Sequence, residues 1–103
     1  MYQVFVLYNQ PEDPAAFDKY YTESHVPIAS KLPGLKRFTM GHPGPDPKGE
    51  KAKYYLVATL EFDDMQAMGA AMGGPEGQAA SADMANFAMA GATMLTGDGE
   101  LVV

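Results

Sequence analysis

The sequence predicts one α+β domain in which two helices cover one face of a four-stranded antiparallel sheet. Three observations carry this reading. Tyr2–Tyr8 and Lys53–Phe62 alternate side chains with the two-residue period of strands. The stretch from Pro14 to about Ser30 repeats apolar residues at helical spacing. Turn-forming residues then punctuate the chain in the order strand, helix, strand, strand, helix, strand.

In the first strand, Tyr2, Val4, Val6 and Tyr8 share one face, and Gln3, Phe5 and Leu7 the other. Both faces are largely apolar, so cover on both sides is expected. Asn9–Glu12 is a turn. Asp13 is a good N-cap, and Pro14 follows at the first helical position, where a missing N–H costs nothing. Phe17, Tyr20 or Tyr21, Ser24 and Ile28 then recur at helical spacing, with a kink expected at Pro27. Pro33-Gly34 is a stop signal, and Leu35–Met40 reads as the second strand. Gly41–Ala52 holds three prolines and three glycines and reads as a loop. In the third strand, Tyr54, Leu56, Ala58, Leu60 and Phe62 form one apolar row. Asp63 with Gln66 resembles a capping box opening an Ala- and Met-rich helix, broken at Gly73-Gly74 and restarted at Pro75, that reaches about Phe87. Ala92–Leu95 and Glu100–Val103 complete the order as a last strand interrupted at Gly97-Asp98-Gly99. This is the split-βαβ, ferredoxin-like sandwich.

Composition excludes several functions. The 103 residues make one domain, with a core small enough that pairing with a second copy is expected. The formal net charge is −6, and four of the seven basic residues (Lys36, Lys48, Lys51, Lys53) lie in or beside one loop. That leaves no basic footprint for nucleic acid and repels anionic lipid. There is no cysteine, which excludes disulfides, thiolate catalysis and thiolate metal sites. Met1–Tyr8 lacks the parts of a secretory signal, and no run approaches the ~18 apolar residues of a membrane span. A cytoplasmic protein is the expectation.

The most informative stretch is Phe17–Ile28, which sets Tyr20, Tyr21 and His25 on one amphipathic helix. Histidine has the unperturbed pKa nearest neutrality, which makes His25 the first candidate for proton transfer. Tyr21 lies four residues earlier, on the same helix surface. Backbone carbonyls freed by Pro27 are expected to hold one ring nitrogen. A structural histidine at a helix end is the competing reading. Tyr20 and Tyr21 point about 100° apart, so one packs in the core while the other reaches a pocket. Tyr8, Tyr54 and Phe17 are further candidates for a ligand-binding wall, although packing explains such aromatics equally well. Arg37, the only arginine, reads as an exposed strand residue, and His42, in Gly41-His42-Pro43-Gly44, as a solvated loop residue. No carboxylate stands at ligand spacing from either histidine, and no phosphate-cradling glycine motif is present. No metal, flavin or nicotinamide is therefore expected.

Tyr8-Asn9 through Pro11, then Phe17-x-x-Tyr20-Tyr21-x-x-x-His25-x-Pro27, then Leu32-Pro33-Gly34-Leu35, and finally Asn86-Phe87-Ala88 resemble the EthD family. That family is named after a protein linked to bacterial ethyl tert-butyl ether degradation. The resemblance implies a dimeric α/β barrel, in which two ferredoxin-like protomers pair sheet to sheet. Relatives in that superfamily include cofactor-free monooxygenases, polyketide cyclases, muconolactone isomerases and haem-degrading enzymes, so haem held through His25 is the one cofactor the resemblance keeps open. The family itself has no single agreed reaction, and a fold does not fix chemistry. The family pattern carries a histidine at the position of His25, which strengthens its functional reading.

Three functional classes follow. The leading one is a homodimer whose apolar cavity binds a hydrophobic small molecule and performs cofactor-free proton transfer, with His25 as acid or base and Tyr21 polarising a substrate oxygen. In the same reading Tyr20, Tyr8, Tyr54 and Phe17 bind the substrate. The second is a carrier or accessory protein that turns nothing over. The third is a closed core with no pocket.

Overall fold

The computed structural model describes residues 1–103. Its strands are β1 (Tyr2–Asn9), β2 (Arg37–Gly41), β3 (Tyr54–Phe62) and β4 (Ala92–Asp98). They form one antiparallel sheet in the order β2-β3-β1-β4. Helices α1 (Pro14–Tyr20) and α2 (Val26–Ala29) follow β1, joined by a π-helical turn over Tyr21–His25. Helices α3 (Met65–Gly73) and α4 (Pro75–Asp83) follow β3 and run into a 3₁₀ turn at Met84–Asn86. This is the ferredoxin-like α+β sandwich that the order of elements predicts.

Register follows from the two-residue alternation. Val4 stands opposite Leu60, Val6 opposite Ala58 and Tyr8 opposite Leu56. All six are buried beneath the helices, with Phe62 beside them. Phe17, Tyr21, Leu32, Ala71 and Phe87 close the core from above. Each large side chain removed from water in this way contributes about 2 kcal/mol. The other face of β1 carries Phe5 and Leu7, which are only partly buried. Within one chain nothing covers that face, so the two-sided cover expected of β1 would come from a second copy.

The first helix solves its proline problem locally. A proline inside a regular helix lacks the donor for one bond and crowds the carbonyl four residues earlier. Here the turn before it widens: the Val26 N–H donates to the Tyr21 carbonyl, five residues back. The expected kink at Pro27 is thus a π turn that ends at His25. Asp13 caps α1 by accepting from the Ala16 N–H at 3.1 Å, and Pro14 opens the helix.

The second helical pair is capped one residue later than the sequence suggests. Asp64, not Asp63, accepts from the Ala67 N–H at 2.8 Å. Asp63 and Gln66 therefore make no capping box. The break at Gly73-Gly74 lies where expected, and it folds α4 tightly against the end of α3. A β-carbon at Gly77 would collide with the Ala71 and Met72 carbonyls, so only glycine permits that approach.

The final strand also differs. β4 runs without interruption through Gly97, pairing Ala92–Asp98 with Tyr8–Tyr2. Beyond Asp98 the Gly99 N–H donates to the Met1 carbonyl at 2.8 Å. Glu100–Val103 lies outside the strand and is exposed, so the second half of the expected last strand does not form.

Candidate functional site

The π turn delivers His25 to the end of α4, where the last helical residue is Asp83. His25 Nδ1 and Asp83 Oδ2 are 2.9 Å apart, with side chains only 6% and 7% exposed. Tyr20 donates its hydroxyl to Asp83 Oδ1 at 2.6 Å, and Asn86 donates Nδ2–H to the same oxygen at 3.0 Å. Burial alone would raise the Asp83 pKa. The hydrogen bonds from Tyr20, Asn86 and His25, with the charge of the imidazolium, outweigh burial and hold it below the usual carboxylate range. The hydrogen bond to Asp83 together with burial pushes the Tyr20 phenol up.

An ionised carboxylate only accepts hydrogen bonds, so the proton of a neutral His25 sits on Nδ1. Nε2 is then the bare nitrogen, and no protein group hydrogen bonds to it. The histidine is fixed by a carboxylate from another helix rather than by the carbonyls near Pro27. Aromatic rings hold its plane: Phe87 lies 4.6 Å from the imidazole centroid and Tyr21 5.3 Å.

His25 lines a cavity of about 220 Å³ between the helices and the sheet, together with Tyr8, Tyr21, Leu60, Met72 and Met84. Its walls are predominantly hydrophobic and contain no lysine or arginine. Tyr21 is 1% exposed, yet its hydroxyl has no hydrogen-bond partner. The neighbouring Tyr8 hydroxyl perturbs it without reaching good hydrogen-bond geometry. Burial pushes both phenols well above the ordinary tyrosine range, so both are neutral donors.

A family model described as the EthD domain matches residues 9–91. The chain belongs to the EthD family. A curated relative, an uncharacterized 11.0 kDa protein in the thcB-thcC intergenic region of Rhodococcus erythropolis, is 45% identical over all of this chain and 99% of its own. The crystal structure of an EthD family protein from Bacillus halodurans C-125 matches with a TM-score of 0.91 and 35% identity, over 97% of this chain and 99% of that one. Two more distant structures share the fold alone. One is a dimeric ferredoxin-like protein of unknown function from Jannaschia sp. CCS1, with a TM-score of 0.66 and 22% identity over 96% of this chain and 100% of its own. The other is SnoaB, a cofactor-independent oxygenase from Streptomyces nogalater, with a TM-score of 0.67 and 14% identity over 99% of this chain and 94% of its own.

In this EthD chain the residues singled out by sequence separate into three places. His25, Tyr21 and Tyr8 line the inner cavity. Tyr20 and Phe17 line an outer cleft, which also contains Asn86 and Phe87. Tyr20 therefore meets the site through Asp83 rather than through the cavity. Tyr54 borders neither space, and Lys53 Nζ sits 5.3 Å from its ring centre. A register shift where Tyr8-Asn9 pairs with β3 turns Tyr55 instead onto the helical side, against Phe17. Asp83 is the residue that sequence reasoning missed. Its one signal is an acidic residue at the end of a helix, three positions before Asn86.

A second cluster lies outside the cavity. Tyr55 donates its hydroxyl to Asp18 Oδ2 at 2.8 Å, while His42 Nε2 stands 3.8 Å from Asp18 Oδ1. His42 Nδ1 donates to the Tyr55 carbonyl at 2.9 Å. No group of three or more histidine and carboxylate side chains converges as a metal site. No helix is long and apolar enough to cross a membrane.

Proposed function

We propose that this EthD protein binds a small apolar molecule in the inner cavity and moves a proton on it, with His25 as the general base and acid. The observation that supports this most is the state of the His25 ring. One nitrogen is tied to the buried Asp83 carboxylate, and the other is unpartnered on the wall of an apolar cavity. A base so held needs no reorganisation before it accepts a proton, and its imidazolium is stabilised by the carboxylate behind it. The substrate proton moves to Nε2, and the electron pair left behind collects on a substrate oxygen. Tyr21, a neutral donor beside His25, stabilises that oxygen. Asp83 is the positioning residue, itself held by Tyr20 and Asn86. The return of the proton to another atom completes an isomerisation, cyclisation or dehydration, and no step needs a bound cofactor.

The working unit in this proposal is a homodimer. Phe5, Leu7, Val57 and Leu95 share the face of the sheet away from the helices, and Leu95 is 54% exposed. A second copy set against that face would bury this row. The dimeric protein from Jannaschia has the same fold.

Screening aromatic, lactone and polyketide-like compounds for conversion tests the reading, with wild type and His25→Ala compared. Proton transfer by His25 predicts turnover that falls roughly a hundredfold in His25→Ala, well beyond the loss of affinity from one missing hydrogen bond. Saturable binding without conversion in the wild type would instead make the protein a carrier.

A further inference from the structure

We infer that the cavity selects neutral ring compounds carrying one hydroxyl group, such as a phenol or a cyclic enol, and rejects the corresponding carboxylates. The inference rests on the cavity-binding reading above and narrows its ligand.

Four residues with polar side chains line the cavity, Tyr8, Tyr21, His25 and Ser81, and the two without a partner at their ligand-facing atoms, Tyr21 and His25, decide the class. Tyr21 offers an O–H with no partner in the protein. His25 offers a bare Nε2, because Asp83 takes the Nδ1 proton. The buried Tyr21 donor goes unsatisfied unless a ligand pairs with it, and Nε2 is an acceptor that no protein group uses. A hydroxyl oxygen does so with one atom, accepting from Tyr21 and donating its own hydrogen to His25 Nε2. A ketone satisfies Tyr21 but gives nothing to a bare nitrogen. A hydrocarbon satisfies neither.

Charge removes the next class. No lysine or arginine lines the cavity, and the nearest full charge is the Asp83 carboxylate behind the imidazole. A carboxylate or phosphate ligand would be desolvated without a counter-ion. Burial already disfavours the anionic forms of Tyr8 and Tyr21, on the same wall.

Volume sets the size. An engineered apolar cavity of about 150 Å³ in another protein holds benzene. At about 220 Å³ this cavity takes one substituted ring. Met72 and Met84 on its wall adapt to the shape of the substituent.

Three matched probes test the class: p-cresol, toluene and 4-methylbenzoate, each titrated into the purified protein by ligand-observed NMR or calorimetry. The expected result is p-cresol binding about tenfold tighter than toluene, the value of one or two net hydrogen bonds, with 4-methylbenzoate weakest. Tyr21→Phe should reduce p-cresol affinity about fivefold and leave toluene unchanged. Its melting temperature should be no lower than that of the wild type, because the lost hydroxyl had no partner. Equal affinities for p-cresol and toluene, or tightest binding of 4-methylbenzoate, would overturn the hydroxyl class while leaving an apolar binding cavity. A melting temperature lowered by Tyr21→Phe would also overturn it, since the hydroxyl would then be serving the fold. If none of the three binds, the cavity-binding reading itself fails.

Discussion

The chain builds the same trio of side chains twice. Asp83 meets Tyr20 and His25 inside the molecule, and Asp18 meets Tyr55 and His42 at its surface. The inner histidine and aspartate are 6% and 7% exposed, with nitrogen and oxygen 2.9 Å apart. The outer pair is 50% and 46% exposed, and its nearest approach is 3.8 Å. Burial makes the difference. Inside, a carboxylate shut away from water needs protein partners, so Asp83 collects three donors and the His25 ring is locked. In the outer trio the pairing is looser: Asp18 Oδ1 has no hydrogen-bond partner, and His42 is held mainly by a backbone carbonyl. In the proposed function, the histidine with one fixed nitrogen and one bare nitrogen in an apolar space is the one that transfers the proton. A half-exposed histidine beside a carboxylate fastens a loop.

Phe87 offers the largest break in this contrast, because its ring packs on His25 and Tyr20 of the inner trio, whereas in the outer trio Phe17 packs on Tyr55 alone. Phe87→Ala should cost about 4 kcal/mol of stability, the range for truncating a buried phenylalanine. Thermal denaturation reads it as a drop of more than about 15 °C in a domain of this size.

Asp83→Ala comes next. It leaves Tyr20, Asn86 and the His25 Nδ1–H without their common acceptor, and it should cost about 3 kcal/mol. Asp83→Asn keeps the volume and one acceptor, so its stability should fall between those of Asp83→Ala and the wild type in urea denaturation.

The acid limb of stability gives a moderate effect. The folded-state pKa of Asp83 is lowered, so the unfolded chain binds more protons than the fold as pH falls. Its contribution is complete above the ordinary aspartate value of about 3.9 and is lost as pH falls through the lower folded value. The stability curve of Asp83→Asn should therefore be flatter below about pH 4 than that of the wild type.

These contrasts also mark what the sequence made legible. The paired alternation of β1 and β3 depends on local periodicity, so Val4, Val6, Leu56 and Leu60 were readable as core, and the order of elements led to the fold. His25 and Tyr21 were readable as neighbours because four residues span one helical turn. Asp83 was not, since 58 residues separate it from His25 and only the packing of α2 against α4 joins them. The end of β4 was hidden for a similar reason. Gly97 looks like a breaker alone, but β1 still has partners to offer there. The π turn depends on how the helix accommodates Pro27, which the pattern announced only as a kink.

The smallest effect belongs to the outer trio. His42→Ala should change stability by no more than about 0.5 kcal/mol, as expected for an exposed pair. Tyr55 keeps a separate signature: burial, with the hydrogen bond to Asp18, pushes its phenol up to about 12. A tyrosinate titration should lose a component near that pH in Tyr55→Phe. The sign follows: this raised pKa favours the fold below about pH 10, and the advantage fades as pH rises through about 12.

Nitrogen-detected NMR of the His25 ring tests the central claim most directly. With the ring neutral, the account predicts a protonated Nδ1 with a low-field proton, an unprotonated Nε2, and loss of that low-field signal in Asp83→Ala. A wild-type ring carrying its proton on Nε2 would contradict the account, because the nitrogen facing the ligand would then be a donor and His25 could not serve as the base.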